Sequence, residues 1–236
     1  MKPVAPGSRH SRANHPPFRQ TLSTGEARTR ASPVLFPQTG RVHPAFLLIP
    51  GERLSQAELS AARLDGDVVE LGDAYTPTDL VESAVTRAHG ISMHRHGHTG
   101  LAFVGPSAAW ILGAGDQPPN HHHLQRAIPR RGRLTPTPRA TLHDTLLPEG
   151  DQLLIGDVLV STPGRTLWDL ARWARRDTVC VIWARRLARL RPDSLDDALA
   201  RLPRLKGQPG YRMAMDLLAQ FSEERARPSV SPLRRT

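Results

Sequence analysis

Ser161-Thr-Pro-Gly-Arg-Thr-Leu-Trp-Asp-Leu-Ala-Arg172 decides how this chain is read. Val158, Leu159 and Val160 precede it and are strand-like. Thr162 is placed to cap a helix, because its hydroxyl can accept from a first-turn amide that has no carbonyl partner. Pro163 suits the first helical position, where a missing N–H costs nothing. Leu167, Leu170, Ala171 and Ala174 follow at helical spacing on one side. Strand, cap and amphipathic helix are therefore expected in succession. Arg165 falls in the first turn, where a cation opposes the helix dipole. A cation there predicts a specific carboxylate partner, with Asp169 one turn on as the candidate.

Working outward, the C-terminal side reads as helical. Asp177 caps a helix over Thr178–Leu190, Ser194–Leu202 follows and ends at Pro203, and Gly210–Phe221 is last. The N-terminal side is mixed. Ser55-Gln-Ala-Glu58 is a capping box, its helix ends at Gly66, and Val68–Leu71 with Ala74-Tyr75 reads as a hairpin around Gly72-Asp73. Asp79 and Glu82 start a further helix that runs to about His89, and His94–His98 is a loop. Leu101–Val104 is a short strand, and Ser107 caps a brief helix over Ala108–Leu112. Strand candidates follow at His121–Ile128, Ala140–Leu146 and Gln152–Val160, the last split by Gly156-Asp157. The predicted class is α+β: a short winged-helix-like remnant, then a small mixed sheet, then a C-terminal helical segment.

The domain plan is a disordered basic arm over 1–46, a winged-helix remnant over 47–77, the main α+β domain over 78–221, and a disordered tail over 222–236. The arm is rich in Pro, Ser, Arg and His and has no periodicity. A start codon assigned too far upstream would give the same composition. The net charge is +10 and the sequence pI is near 11.2. The arm carries seven basic groups against one acid, and the tail four against two, which leaves 21 basic and 19 acidic groups between them. The middle is thus close to neutral, and a nucleic-acid reading rests on the ends. Cys180 is the only cysteine, so no intrachain disulfide forms and a cytoplasmic location is expected. No secretory signal or spanning segment is legible, so no membrane partner is expected.

The Ser161–Arg172 segment resembles the "TPARTLLDLAR" signature of AbiEi-like antitoxins of the actinobacterial type, in which Thr162, Pro163, Arg165, Thr166, Leu167, Asp169 and Leu170 are the matching structural positions. Three further segments resemble the family in the same order: "LSQAELSAARLDGDVVELGDAYTP" from Leu54, "GPSAAWILGAG" over Gly105–Gly115, and "HHHLQRAIPRRGRL" over His121–Leu134. The resemblance implies the antitoxin side of a type IV toxin–antitoxin pair. It implies a winged helix, here degenerate, that binds operator DNA, and a C-terminal domain that counteracts a nucleotidyltransferase-like toxin.

Other chemistry weighs less. His121–His123 are consecutive, and three consecutive strand residues cannot all face one ion because side chains alternate. His94, His96 and His98 lie in a loop, and no Cys partner or H-E-x-x-H spacing accompanies either run. Asp65-Gly-Asp67 has a nucleotidyltransferase-like D-x-D form but lies at a helix end. No nucleophile elbow, P-loop or dinucleotide fingerprint is present. The reading therefore assigns no catalytic residue, no metal and no cofactor. It assigns nucleic-acid or partner contact to Arg53, Arg63, Arg126, Arg130, Arg131 and Arg133. The function expected is a non-enzymatic antitoxin-like or transcriptional regulatory protein. The alternatives are a stand-alone nucleic-acid-binding protein, or a nuclease or nucleotidyltransferase relative with a site that the sequence does not reveal.

Overall fold

In the computed structural model the described residues are 46–129 and 138–227. The expectations for the arm, for Arg130, Arg131 and Arg133, and for the last nine residues lie outside them. The architecture is α+β. Among the described residues there are seven α-helices, a two-stranded sheet and a five-stranded mixed sheet, with four helices in succession at the C-terminal end.

The first unit is small. Helix α1 (Gln56–Asp65) starts at Ser55, whose side chain and backbone exchange hydrogen bonds with Glu58, and ends at Gly66 in the left-handed conformation. Strands β1 (Val68–Leu71) and β2 (Ala74–Pro77) form the antiparallel hairpin. Leu48 bridges to Tyr75 and adds a third, one-residue rung on the β2 side. Leu59, Val68 and Tyr75 are buried together, with Leu48, Leu54 and Ala62 around them. This unit docks through its turn. A Cβ on Gly90 would lie 2.4 Å from the carbonyl oxygen of Leu71, and one on Gly72 would lie 2.8 Å from that of Gly90. The two glycines therefore permit a backbone-to-backbone approach, closed by the Asp73 amide donating to the Gly90 carbonyl at 2.9 Å.

The main sheet runs β5-β4-β3-β7-β6. Its strands are β3 (Leu101–Phe103), β4 (His122–Arg126), β5 (Ala140–Leu146), β6 (Gln152–Ile155) and β7 (Val158–Ser161). β3 pairs antiparallel with β4 and parallel with β7, β4 pairs parallel with β5, and β6–β7 is the hairpin around Gly156-Asp157. Leu124, Phe103, Val160 and Leu153 stand in one row across the register and enter the main core. Side chains one residue away along each strand face the other way. Those of His123 and Gln125 therefore leave the core side on which His122 and Leu124 lie.

Helix α4 (Pro163–Trp173) carries the signature and is central to the helical layer. Its Leu167, Trp168, Leu170 and Ala171 are buried against α3 (Gly105–Ile111), α5 (Thr178–Leu190), α6 (Pro192–Leu205) and α7 (Tyr211–Ala226). Several expected boundaries move. α2 (Ala84–Gly90) starts at Ser83, which forms a capping box with Thr86. Asp79 and Glu82 lie outside it. α3 begins at Gly105, so Ser107 is a buried residue within the helix and not its cap. Its hydroxyl turns to β4 and accepts from the His123 amide at 3.0 Å. α6 passes through Pro203, which sits only two residues from its end. α7 continues to Ala226, so residues 222–226 are helical and do not belong to the expected tail. Glu224 pairs with Arg185, and Arg225 pairs with Asp196, tying that last turn to α5 and α6.

Candidate functional site

Between the sheet and α4 lies a buried ionic network. Arg165 donates through Nε to Asp169 Oδ2 at 3.0 Å, through Nη1 to Asp151 Oδ2 at 3.1 Å, and through Nη2 to Gln125 Oε1 at 3.2 Å. Arg172 Nε reaches the second Asp169 oxygen at 2.9 Å, and Arg201 pairs with Asp151. Asp169 is fully buried. Burial alone would lower the Arg165 pKa, but Asp169 and Asp151 outweigh it and hold the guanidinium above its ordinary value. Each oxygen of both carboxylates thus accepts from an arginine. The expected Arg165–Asp169 partnership is present. Thr162 accepts from the Arg165 amide at 3.4 Å, Thr166 bonds Ser161, and Leu167 and Leu170 are fully buried. Every signature residue thus has a packing or ionic task.

Among the described residues, the arginines assigned to contacts, Arg53, Arg63 and Arg126, lie on separate elements. Arg53 is exposed beside α1. Arg63 is exposed but pairs with Glu70 at 3.3 Å. Arg126 is largely covered, and its guanidinium donates to the carbonyls of Pro129 and Asp144, both at 3.0 Å. The helical layer carries a different surface. On α5, Cys180, Ala184 and Leu187 are buried. Val179, Ile182, Arg186, Arg189 and Leu190 lie on the opposite side and are exposed, Ile182 and Leu190 by 52% and 55%. Their spacing puts them on one stripe of the helix.

A second cluster gathers residues far apart in sequence. Asp73 comes from the hairpin turn, His94 from a 3₁₀ turn over Ser92–Arg95, and His122 from β4. Their donor atoms lie within 4.8 Å of one another. Asp73 Oδ2 is 2.6 Å from His94 Nε2 and 3.9 Å from His122 Nε2. Asp73 Oδ1 accepts from Arg139 Nη1 at 2.7 Å. Burial opposes ionisation of Asp73. The hydrogen bond and charge of His94, with Arg139 and His122, nonetheless hold its pKa below the usual range. Burial pushes His122 down to about 3. On the other side of β4, His123 Nδ1 is 3.1 Å from His143 Nε2, and both rings lie against the Trp173 indole. Burial and the neighbouring imidazoles lower His123 to about 4, and burial likewise lowers His143.

Sequence reasoning misses the Asp73–His94–His122 set. In the sequence Asp73 reads as a turn residue, His94 as part of a polar loop, and His122 as one of three consecutive strand residues that cannot all converge. Each of the two histidine runs gives one side chain to the cluster, a selection that only strand alternation and the docked hairpin make. Comparison with protein-family models finds no match, and comparison with curated proteins finds none. Among the described residues, no helix is long and apolar enough to cross a membrane.

Proposed function

We propose that this chain is a cytoplasmic, non-enzymatic protein of the AbiEi-like antitoxin type that acts by binding. Its principal partner is an acidic surface of a nucleotidyltransferase-like toxin. The observation that carries the reading is the outer stripe of α5. Val179, Ile182 and Leu190 present apolar area to solvent, and Arg186 and Arg189 stand among them. Exposed apolar side chains interleaved with arginine have the composition of a protein-binding surface. Arg186 spends part of its charge on the exposed Asp116 at 2.5 Å, a pair that a partner carboxylate could displace. The signature supports the reading indirectly, because its residues anchor α4, against which α5 packs.

DNA contact is the secondary activity in this reading. The segment 46–77 has a strand rung, a helix and a hairpin in winged-helix order, with the first strand beside the last. Its charges oppose phosphate. Arg53 and Arg63 face Glu52, Glu58, Asp65, Asp67, Glu70 and Asp73. Operator binding by this unit alone is therefore weak, and the basic arm supplies most of the attraction.

The test first reads the neighbouring reading frame for a nucleotidyltransferase-like protein, whose absence would count against the antitoxin reading, and then titrates the purified chain with that protein by calorimetry. Saturable binding by the natural chain is expected, with loss in Ile182→Glu and in Arg186→Glu/Arg189→Glu. Binding that ignores both variants would remove the α5 surface from the account, and no binding by the natural chain would remove the antitoxin reading.

A further inference from the structure

We propose that Asp73, His94 and His122 bind a divalent metal ion of the zinc class, through Asp73 Oδ2 and the Nε2 atoms of both histidines. The first argument is distance. Zinc bonds to nitrogen and carboxylate oxygen of about 2.0–2.1 Å at tetrahedral angles put ligand atoms about 3.3 Å apart. The two distances from Asp73 Oδ2, 2.6 and 3.9 Å, bracket that value. An ion enters if His94 draws back and His122 closes in, each by well under about 1 Å.

The second argument is independent of the cluster's spacing. His122 is completely buried, yet its Nε2 has no hydrogen-bond partner. Buried polar atoms are almost always satisfied, and one that is not calls for a ligand. The ring's other nitrogen, Nδ1, faces Ser107 Oγ at 3.4 Å. With the proton on Nδ1 and directed at that hydroxyl, Nε2 carries a lone pair toward Asp73 and His94. Outer contacts of this kind fix the tautomer of a ligating histidine.

The remaining contacts suit the same role. Arg139 occupies Oδ1 of Asp73 and leaves Oδ2 to the ion, as an outer partner of a monodentate carboxylate does. Its charge also repels a cation, so the affinity is modest for a zinc site. Two imidazoles and one carboxylate favour zinc over magnesium or calcium, which prefer oxygen donors. The Asp73 side chain keeps 16% exposure, which leaves a route for water as a fourth ligand. Metal binding takes the lone pair of His94 Nε2, so the proton of a neutral ring sits on Nδ1 once the ion has entered, and Asp73 exchanges its hydrogen bond from His94 for the bond to the ion. The three ligands come from the hairpin turn, the 3₁₀ turn and β4, so the ion clamps the 46–77 unit to the main sheet.

The experiment strips the full chain with a chelator, then titrates it with Zn²⁺ and Co²⁺, with Mg²⁺ as a control. One equivalent of zinc is expected, with a visible Co²⁺ spectrum of low coordination number and a melting temperature that rises with Zn²⁺ but not with Mg²⁺. Asp73→Asn, nearly the same shape, and His122→Gln should each weaken binding by more than the about 10–100-fold that loss of an outer partner costs. His96→Ala and His121→Ala, both exposed, should leave it unchanged. Circular dichroism identifies any variant that fails to fold, and the natural chain's stoichiometry, spectrum and melting shift are decisive without variants. Failure of the natural chain to bind, or full binding by folded Asp73→Asn and His122→Gln, would overturn the proposal.

Discussion

At the scale of the residue, Asp169 holds the signature together. Its two oxygens are divided between Arg165 and Arg172, and it has no exposure. Replacing it with Ala leaves two arginines facing a dry gap. Asp169→Ala should therefore cost about 3–5 kcal/mol in chemical denaturation, the range for breaking a buried ion pair from one side. A loss under about 1 kcal/mol would mean that the network is solvated and weak. The pairing of Arg165 with Asp169 is legible in the sequence because four residues on a helix bring two side chains together. Asp151 and Gln125 are not legible as its partners, because β4 and the turn before β6 reach Arg165 only after the sheet has formed. The histidines carry a pH prediction. His122 and His123 have folded pKa values depressed to about 3 and about 4, below an unfolded value of about 6.5. The unfolded chain then binds more protons in that interval. Stability is full above about pH 6.5 and falls as pH drops toward 4. Denaturation midpoints across that range, with chelator present, check it; a flat profile would contradict the burial of these rings.

At the scale of the element, what is legible is local. Ser55–Glu58, Gly66, Thr162 with Pro163, and Asp177 all mark helix ends where the sequence pattern puts them. The departures have physical causes. Pro203 reads as a stop for α6, but so near the C-terminus the hydrogen bond it forgoes is one of the last, and the turn survives. The end of α7 is hidden because Glu223–Ala226 has no apolar periodicity. Its helix is held by ion pairs to α5 and α6. Packing gives two tests. Leu170 is fully buried among the helices, so Leu170→Ala should cost about 2–5 kcal/mol. Gly90→Ala should cost about 1–3 kcal/mol, as overpacking against the Leu71 carbonyl requires. It should also raise amide exchange across Val68–Pro77 more than across the main sheet. Uniform exchange would mean that the hairpin does not depend on that approach.

At the scale of the whole molecule, the charge excess lies in the two ends of the sequence. The segment between arm and tail is nearly neutral, and three of its arginines, Arg165, Arg172 and Arg201, are paired with Asp151 and Asp169 inside the structure. Net charge therefore forecasts a nucleic-acid role more strongly than the folded surface supports. The stripe on α5 is not legible in the sequence, where Val179, Ile182, Trp183, Leu187 and Leu190 together read as the apolar face of the helix, whereas Val179, Ile182 and Leu190 are exposed. Exposure of Ile182 and Leu190 becomes visible only once α4, α6 and α3 are seen to cover the other side. DNA binding should follow the arm. Deleting residues 1–46 should flatten the logarithmic salt dependence by about 0.9 for each phosphate that the arm had neutralised. Tight, sequence-specific binding by the shortened chain would instead mark the 46–77 unit as an intact reader. The central claim, antitoxin action through α5, is tested most directly by growth. A nucleotidyltransferase-like protein, which the account expects to be encoded next to this chain, is expressed alone, with the natural chain, and with a stably folded Ile182→Glu variant. The account predicts arrest alone, rescue by the natural chain and loss of rescue with Ile182→Glu. Continued arrest in the presence of the natural chain would contradict it.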